Sequence, residues 1–279
     1  MTVNDFIFEA IQEDVGSGDH SSLLSVPDNA KGSAQLLVKE NGVLAGVDIA
    51  LKVFSLIDKD LQVNVFIHDG AKVKKGDIAF EVSGKIRSIL QAERLVLNIM
   101  QRMSGISTKT AYYCSLIEGT HAKLLDTRKT TPNMRYFEKL AVKIGGGCNH
   151  RFGLYDMIML KDNHVDFAGG IENAIKKANN YLKENNLNIK IEIETRNLQE
   201  LAEVLRVGGI DRIMFDNYSV EDVKKGVQMV AGKYETEASG NITETTIVEY
   251  AKTGVDFISV GALTHSVKSL DLSLKAKIK

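Results

Sequence analysis

The sequence predicts an α/β protein, and three observations support that prediction. After Thr120, short apolar strands alternate regularly with amphipathic helices, a pattern typical of a parallel sheet with right-handed crossovers. Several of those strands end in a polar residue or in glycine, and in β/α barrels such strand ends form the active site. The chain of 279 residues is long enough for one large domain or two ordinary ones.

Six strands are predicted after Thr120, at residues 123–126, 157–161, 189–194, 212–216, 234–239 and 257–261. Helices are expected between them at residues 171–184, 198–207, 220–230 and 243–252. A complete β/α barrel has more strands than these. We therefore expect a barrel-like sheet in which the carboxyl ends of the strands converge on one face.

The first part of the chain follows a different pattern. Residues 3–14 and 47–57 each show the apolar spacing of one helix face. Strands are predicted at residues 34–39, 42–45, 61–67 and 78–82. A long helical stretch covers residues 84–117, and we expect Ser104-Gly-Ile-Ser107 to interrupt it and mark a domain boundary.

The composition excludes several classes of protein. There are 35 Lys and Arg residues against 36 Asp and Glu residues, a balance that argues against a general nucleic-acid binder. No apolar run is long enough for a transmembrane helix, and the acidic N-terminus does not resemble a signal peptide. The only cysteines are Cys114 and Cys148, which argues against a disulfide framework or a zinc site and favours a cytoplasmic protein.

One stretch, from Leu125 to His164, carries a local excess of positive charge within a nearly neutral protein. It also contains a triple glycine at residues 145–147. Its basic side chains are Arg128, Lys129, Arg135, Lys139, Lys143, His150, Arg151 and Lys161. Loops at the ends of strands usually carry binding groups, so we expect this stretch to bind an anionic partner.

The same stretch resembles the quinolinate phosphoribosyltransferases, also called nicotinate-nucleotide pyrophosphorylases (carboxylating). The matching pieces are Asp126-Thr-Arg-Lys-Thr-Thr-Pro132, Glu138-Lys139, Gly145-Gly-Gly147, Asn149-His-Arg151 and Lys161-Asp-Asn-His164. Flanking matches extend the resemblance over nearly the whole chain. It implies an N-terminal α/β sandwich and a C-terminal incomplete β/α (TIM-like) barrel. The implied domains are residues 1–105, joined by the tail 266–279, and residues 106–265.

The resemblance also implies a reaction, the Mg²⁺-dependent transfer of phosphoribosyl from phosphoribosyl pyrophosphate to quinolinate. Decarboxylation would follow, giving nicotinate mononucleotide, pyrophosphate and CO₂ in de novo NAD biosynthesis. Quinolinate carries two carboxylates, which arginine forks bind well. The implied quinolinate contacts are Arg128, His150, Arg151 and Lys161, with Arg94 contributed by a neighbouring subunit of a homodimer or higher oligomer.

Phosphoribosyl pyrophosphate is expected to contact Lys129, Glu194 and Asp216. The two carboxylates are also candidate Mg²⁺ ligands, and with Lys129 and Lys161 they make up the implied catalytic set. Two turns after the last strands suit phosphate, because glycine lets backbone N–H groups approach an anion. Those turns contain Ser239, Gly240, Asn241, Val260, Gly261 and Ala262.

Three details of the predicted site stay open. Glu192 shares a strand face with Glu194 by the period of two, so either one suits the catalytic position. Asn241 and Glu244 have the spacing of a capping box for the following helix. His265 either contacts phosphate or simply ends the barrel.

Two other functions compete with this interpretation. A phosphoribosyltransferase-like paralogue associated with molybdenum transport shares the fold, although Asn149-His-Arg151 beside Arg94 favours quinolinate. Residues 68–84 follow a pattern that also occurs in lipoyl and biotinyl carrier domains. A non-enzymatic carrier or ligand-binding protein would, however, leave the basic stretch unexplained.

Overall fold

The computed structural model describes residues 2–277, which form two compact units. The first unit contains residues 2–111, 130–146 and 263–277, and the second contains residues 112–129 and 147–262. The basic stretch is therefore divided, since residues 130–146 belong to the first unit. Each unit is described separately below.

The elements of both units are numbered along the chain. The helices are α1 (Val3–Val15), α2 (His20–Ser25), α3 (Val47–Ile57), α4 (Ile86–Leu116), α5 (Arg135–Ile144), α6 (Asp162–Ala168), α7 (Ile171–Glu184), α8 (Leu198–Val207), α9 (Val220–Val230), α10 (Ile247–Ala251) and α11 (Ala262–His265). The strands are β1 (Lys31–Val38), β2 (Gly42–Val43), β3 (Gln62–Val65), β4 (Lys72–Val73), β5 (Ile78–Lys85), β6 (Lys123–Leu125), β7 (Met157–Leu160), β8 (Lys190–Thr195), β9 (Arg212–Asp216), β10 (Glu235–Ser239), β11 (Phe257–Ser259) and β12 (Leu272–Ala276).

The first unit is built on an antiparallel sheet with the strand order β12-β1-β5-β3. The last strand, β12, pairs with β1 and places Leu274 opposite Leu36, so the tail of the chain is part of this sheet. Phe80 of β5 is fully buried and meets Phe54 of α3 edge to face, with ring centroids 5.8 Å apart. Burial of such large rings supplies much of the driving force for folding.

The long helix α4 runs without a break from Ile86 to Leu116, so the predicted interruption at Ser104-Gly-Ile-Ser107 is wrong. These small residues are packing sites. A Cβ on Gly105 would lie 2.3 Å from the carbonyl oxygen of Lys268, so the glycine allows a close approach of backbone. The Ser104 hydroxyl is buried and hydrogen-bonded to Ala45, which satisfies a polar group that would otherwise be costly to bury.

The second unit is built on a parallel sheet with the order β6-β11-β10-β9-β8-β7. The predicted fold class is confirmed, because an antiparallel sheet and a six-stranded parallel sheet with helices between its strands are both present. Helices α7, α8 and α9 have the bounds expected from the sequence. Helix α10 is shorter than residues 243–252, because the backbone N–H of Thr243 is hydrogen-bonded to the Thr246 hydroxyl in a turn before the helix.

The sequence did not predict α2, α5, α6 or α11. Helix α5 lies within the basic stretch, where Glu138 and Lys139 are buried. Buried charges conceal the apolar spacing that normally identifies a helix. Across residues 2–277, no helix combines the length and the hydrophobicity that crossing a bilayer requires.

Candidate active site

One face of the parallel sheet carries a row of charged and polar side chains. Glu194 of β8 is opposite Met214 of β9, which is opposite Glu237 of β10. Opposite residues in neighbouring strands point to the same face, as do residues two apart along one strand. The polar residues on this face include Glu192, Glu194, Arg212, Asp216, Glu237 and Ser239.

Lys161 and Glu194 form an ion pair at the carboxyl ends of the adjacent strands β7 and β8. The backbone N–H of Lys161 donates to Nδ1 of His164 at 3.0 Å. The Glu194 side chain is 11% exposed and the Lys161 side chain is 42% exposed. The Lys161 ammonium group is thus anchored by the carboxylate while remaining accessible to a ligand.

Asp216 ends β9, and the next residue, Asn217, connects it to the turn after β10. Asn217 adopts the left-handed conformation with φ 57°, which asparagine tolerates better than most residues. Its backbone N–H donates to the carbonyl oxygen of Ser239 at 2.9 Å, and its Nδ2 donates to Oδ2 of Asp216 at 3.0 Å. One asparagine therefore fixes the Asp216 carboxylate relative to the predicted phosphate turn.

The turn after β10 requires the glycine at position 240. Gly240 has φ 99°, and a Cβ there would lie 2.2 Å from Oδ1 of Asn217. The predicted capping box of Asn241 and Glu244 is wrong. Helix α10 has Thr246 as its N-cap, whereas Nδ2 of Asn241 donates to Oδ1 of Asn217 at 3.1 Å. The local spacing gave no sign of this contact between two turns.

The second predicted phosphate turn follows β11. Val260 is buried, and its N–H donates to the carbonyl oxygen of Leu125 at 3.0 Å. Gly261 and Ala262 are half-buried at the start of the four-residue helix α11. These residues lie at the same edge of the sheet as Ser239, because their strands are parallel.

Asn149, His150 and Arg151 lie in a loop without regular secondary structure, and Asp126 holds that loop. Asp126 follows β6 and is fully buried. Its carboxylate accepts from the backbone N–H of His150 at 2.8 Å and from Nδ2 of Asn149 at 2.5 Å. Nη1 of Arg151 donates to the carbonyl oxygen of Met157 at 3.1 Å.

The charge of Arg128 acts on the Arg151 guanidinium group. Burial lowers the pKa of Arg151, and the nearby charge of Arg128 lowers that pKa further. Arg128 is half-buried and Lys129 is exposed. An anionic ligand would offset both the dehydration of the Arg151 charge and its repulsion from Arg128.

A network of buried charges lies on the same sheet face. Nε2 of His150 is 3.0 Å from Oε2 of Glu192 and 3.5 Å from Oε2 of Glu237. Nη1 of Arg212 is 3.1 Å from Oε2 of Glu237, while its Nη2 is 3.1 Å from Oε2 of Glu235. Burial raises the pKa of Glu192 to about 7 and that of Glu237 to about 8.

Two sets of side chains have the chemistry of a cation site. His150, Glu192 and Glu237 offer ligand atoms that all lie within 4.8 Å of one another, but Arg212 already places a positive charge against Glu237. Glu194 and Asp216 are less buried than that trio and lie near the ends of adjacent strands. Glu192 is buried beside His150, whereas Glu194 is partly exposed. Of the two carboxylates, Glu194 is therefore the better candidate for contact with a ligand.

The structure thus brings most predicted site residues to one sheet edge in the second unit. Arg94 lies in the first unit, where it is exposed on α4. His265 also lies in the first unit, exposed at the end of α11, with Nδ1 2.7 Å from the Ser266 hydroxyl.

The sequence patterns did not predict that Asn217, Arg212 and Glu237 belong to the site. Glu235, Glu237 and Ser239 alternate with other residues along a predicted strand. This alternation indicates that one face of the strand is polar. The partners of Asn217 lie in another turn, so no local pattern predicted them.

Two family models match the chain and together cover most of it. The N-terminal domain of quinolinate phosphoribosyl transferase matches residues 5–104, and its C-terminal domain matches residues 106–275. The chain belongs to the quinolinate phosphoribosyltransferase family.

Relatives within this family are similar over nearly the full length. A mitochondrial quinolinate phosphoribosyltransferase (decarboxylating) of Nicotiana glauca is 44% identical, over 95% of this chain and 80% of the relative. A probable nicotinate-nucleotide pyrophosphorylase (carboxylating) of Bacillus subtilis is 43% identical, over 94% of this chain and 89% of the relative. The crystal structure of NadC from Streptococcus pyogenes superposes with a TM-score of 0.93 at 40% identity, covering 98% of this chain and 95% of that chain.

Proposed function

We propose that this quinolinate phosphoribosyltransferase family member transfers phosphoribosyl from phosphoribosyl pyrophosphate to quinolinate. The products are nicotinate mononucleotide, pyrophosphate and CO₂, and the reaction belongs to de novo NAD biosynthesis. The observation that carries the proposal is the grouping of positive charge at one sheet edge, where Lys161 lies at the end of β7 and Arg151 lies in the loop that Asp126 holds, within reach of the charge of Arg128.

Quinolinate is assigned to Arg128, Arg151 and Lys161, whose charged hydrogen bonds suit its two carboxylates. His150 completes the implied set, although its ring nitrogens face Glu192 and the backbone N–H of Arg151. Its contribution is therefore assigned to the shape and polarity of the pocket wall. Because the binding groups lie on loops held by strands and buried hydrogen bonds, the substrate meets a preorganised site.

Phosphoribosyl pyrophosphate is assigned to the remaining residues of the sheet edge. Lys129 faces the pyrophosphate, and Glu194 and Asp216 face the ribose hydroxyls. The phosphate groups are assigned to the two turns after the last strands, comprising Ser239, Gly240, Asn241, Val260, Gly261 and Ala262.

Glu194 and Asp216 also fit the proposed Mg²⁺, because it takes one or two protein carboxylates together with phosphate oxygens. Their burial is partial, so both carboxylates are reachable from the site. Bound there, Mg²⁺ would neutralise charge on the leaving pyrophosphate.

The reaction requires binding and electrostatic groups rather than a nucleophile on the protein. The pyridine nitrogen forms a bond to the anomeric carbon while the bond to pyrophosphate breaks. The ring, now cationic, accepts the electron pair released when the 2-carboxylate leaves as CO₂, and that carbon then takes a proton. Lys129, Lys161 and the phosphate turns hold the reacting groups in line and offset the developing charge.

Arg94 is proposed to act on the site of a neighbouring subunit, in a homodimer or higher oligomer. Its exposure on α4 leaves it accessible for such a contact. An inactive Arg94→Ala chain mixed with an inactive Lys161→Ala chain is expected to regain part of the activity. No recovery in verified mixed dimers would contradict a shared site.

A cytoplasmic location is part of the proposal. Both cysteines, Cys114 and Cys148, are free thiols, as is usual in a reducing compartment. The proposed partners are the two small substrates and a second copy of the chain, with neither nucleic acid nor membrane.

Incubation with quinolinate, phosphoribosyl pyrophosphate and Mg²⁺ tests the proposed function, with mass spectrometry of the products and nicotinate as the parallel substrate. We expect nicotinate mononucleotide from quinolinate and none from nicotinate. Product from neither substrate would contradict the proposed reaction, and product from nicotinate would contradict the proposed specificity.

A further inference from the structure

The loop that carries Arg151 is held from two sides. On one side, Asp126 binds the backbone of His150. On the other side, the His150 ring is inserted against the carboxyl groups of Glu192 and Glu237. The loop itself has no regular secondary structure, so these contacts define its conformation.

The hydrogen bond to Nδ1 identifies the tautomer of the His150 ring. The backbone N–H of Arg151 can only donate, and it lies 2.6 Å from Nδ1 of His150. Nδ1 therefore accepts, and the ring proton resides on Nε2. Nε2 lies 3.0 Å from Oε2 of Glu192, which is ion-pair distance. The ring thus contacts the Arg151 backbone through Nδ1, and its Nε2 lies beside the buried carboxyl pair.

We propose that Glu192 and Glu237 are positioning residues that act through the His150 ring to hold Arg151 at the carboxyl edge of the sheet. Glu192, Glu237 and the His150 ring are nearly inaccessible to solvent. Such carboxyl groups generally stabilise a fold less than apolar side chains of similar size. Their role is therefore geometric, and Arg212 holds the Glu237 side chain from the neighbouring strand.

This inference deepens the proposed function and rests on it for the link between Arg151 and quinolinate. Because Arg151 is assigned to the bound substrate in both ground and transition states, its displacement is expected to raise KM more than it lowers kcat. The position of the His150 ring is independent of turnover, so it is measurable even if the proposed reaction fails.

The test compares Glu237→Ala, which removes the carboxyl group, with Glu237→Gln, whose amide oxygen can still accept from Arg212 and keeps a polar group beside His150. We expect Glu237→Ala to raise KM for quinolinate by about tenfold with kcat nearly unchanged, and Glu237→Gln to restore most of the affinity. Glu192→Ala and Glu192→Gln make the same comparison at the closer carboxyl group, if Glu237→Ala does not fold.

Glu235→Ala is the matched control. Glu235 lies two residues earlier on the same strand face and binds the same Arg212 side chain, but its own side chain is 37% exposed. An equal rise in KM for Glu235→Ala would assign the effect to the Arg212 charge and overturn the proposal.

Nitrogen NMR of the protein labelled with ¹⁵N-histidine measures the state of the His150 ring nitrogens and does not depend on activity. A His150→Gln variant identifies the His150 signals. We expect a single neutral Nε2–H form in the native protein and loss of that single form in Glu237→Ala. An unchanged His150 spectrum together with unchanged KM in both alanine variants would overturn the positioning role.

Discussion

Lys161 and Glu194 face each other across the carboxyl ends of β7 and β8, where their side chains form an ion pair. The proposed function gives each of them a different ligand. Lys161 is assigned to a quinolinate carboxylate, and Glu194 to the ribose or to Mg²⁺. Binding of either substrate thus requires one partner of this pair to accept a new contact.

Lys161→Met is expected to raise KM for quinolinate by about tenfold or more, because it removes a charge-assisted contact worth about 1.5–3 kcal/mol. Steady-state kinetics with quinolinate as the varied substrate measures the change. Lys224→Met removes an exposed lysine of α9 and is expected to leave KM unchanged. Equal kinetics for the two variants would remove Lys161 from the site.

Gly240→Ala is expected to weaken binding of phosphoribosyl pyrophosphate and to lower the melting temperature. The added Cβ would lie 2.2 Å from Oδ1 of Asn217 at a φ of 99°, so the turn must move. Gly232→Ala is the control, since Gly232 has φ 74° with no atom within 4 Å of the added Cβ. It carries only the left-handed strain of about 1–2 kcal/mol. A Gly240→Ala protein that matches the control would contradict the close approach of the two turns.

Arg102→Ala is expected to lower the free energy of unfolding by about 3–5 kcal/mol. Arg102 binds Oε1 of Glu138 through Nε at 3.0 Å and Nη2 at 2.8 Å, and the Glu138 side chain is fully buried. Arg206→Ala breaks an exposed pair with Glu172 and is expected to cost much less, because solvent screens the charges of exposed pairs. Chemical denaturation of the two variants measures both values, and similar losses would contradict a structural role for the buried pair.

The stability of the protein is expected to fall as pH rises from about 5 to about 8. Glu237 has its pKa raised from 4.5 to about 8, chiefly by burial and then by the nearby Glu192 carboxyl group. In this range the folded state keeps a proton that the unfolded chain releases. The stabilisation is therefore complete below the unfolded pKa and is lost as pH rises through the folded pKa.

Glu237→Gln is expected to make that decline shallower, by up to about 1.4 kcal/mol per pH unit for one proton. Urea denaturation at several pH values measures the slope, with the exposed Glu221→Gln as the control. A slope that Glu237→Gln leaves unchanged would show that the Glu237 carboxyl group does not hold the proton.

The sequence predicted those parts of the fold that local spacing determines. Helices α8 and α9 begin after Asn197 and Ser219, whose side chains cap them. The sequence therefore indicates both the buried face and the first residue of each helix. The interruption predicted in α4 was wrong because the sequence does not reveal that Gly105 and Ser104 face neighbouring segments.

In the candidate site, too, local spacing predicted some residues, whereas others depend on contacts between distant parts of the chain. Position at a strand end was enough to predict Lys161, Glu194 and Asp216 as neighbours on one edge. The contacts of Asn217 and Glu237 could be identified only from the structure, because their partners lie on other strands or turns. Their roles depend on contacts between residues that are distant in the chain.

The most direct measurement is a calorimetric titration of quinolinate into the wild-type protein and into Arg128→Ala, with Arg206→Ala as a surface control. We expect one quinolinate bound per chain, weaker binding of the monocarboxylate nicotinate, and an affinity reduced about 10- to 100-fold in Arg128→Ala. Equal affinity in wild type and Arg128→Ala, or no binding of quinolinate at all, would contradict the claim that the arginine pair binds a dicarboxylate.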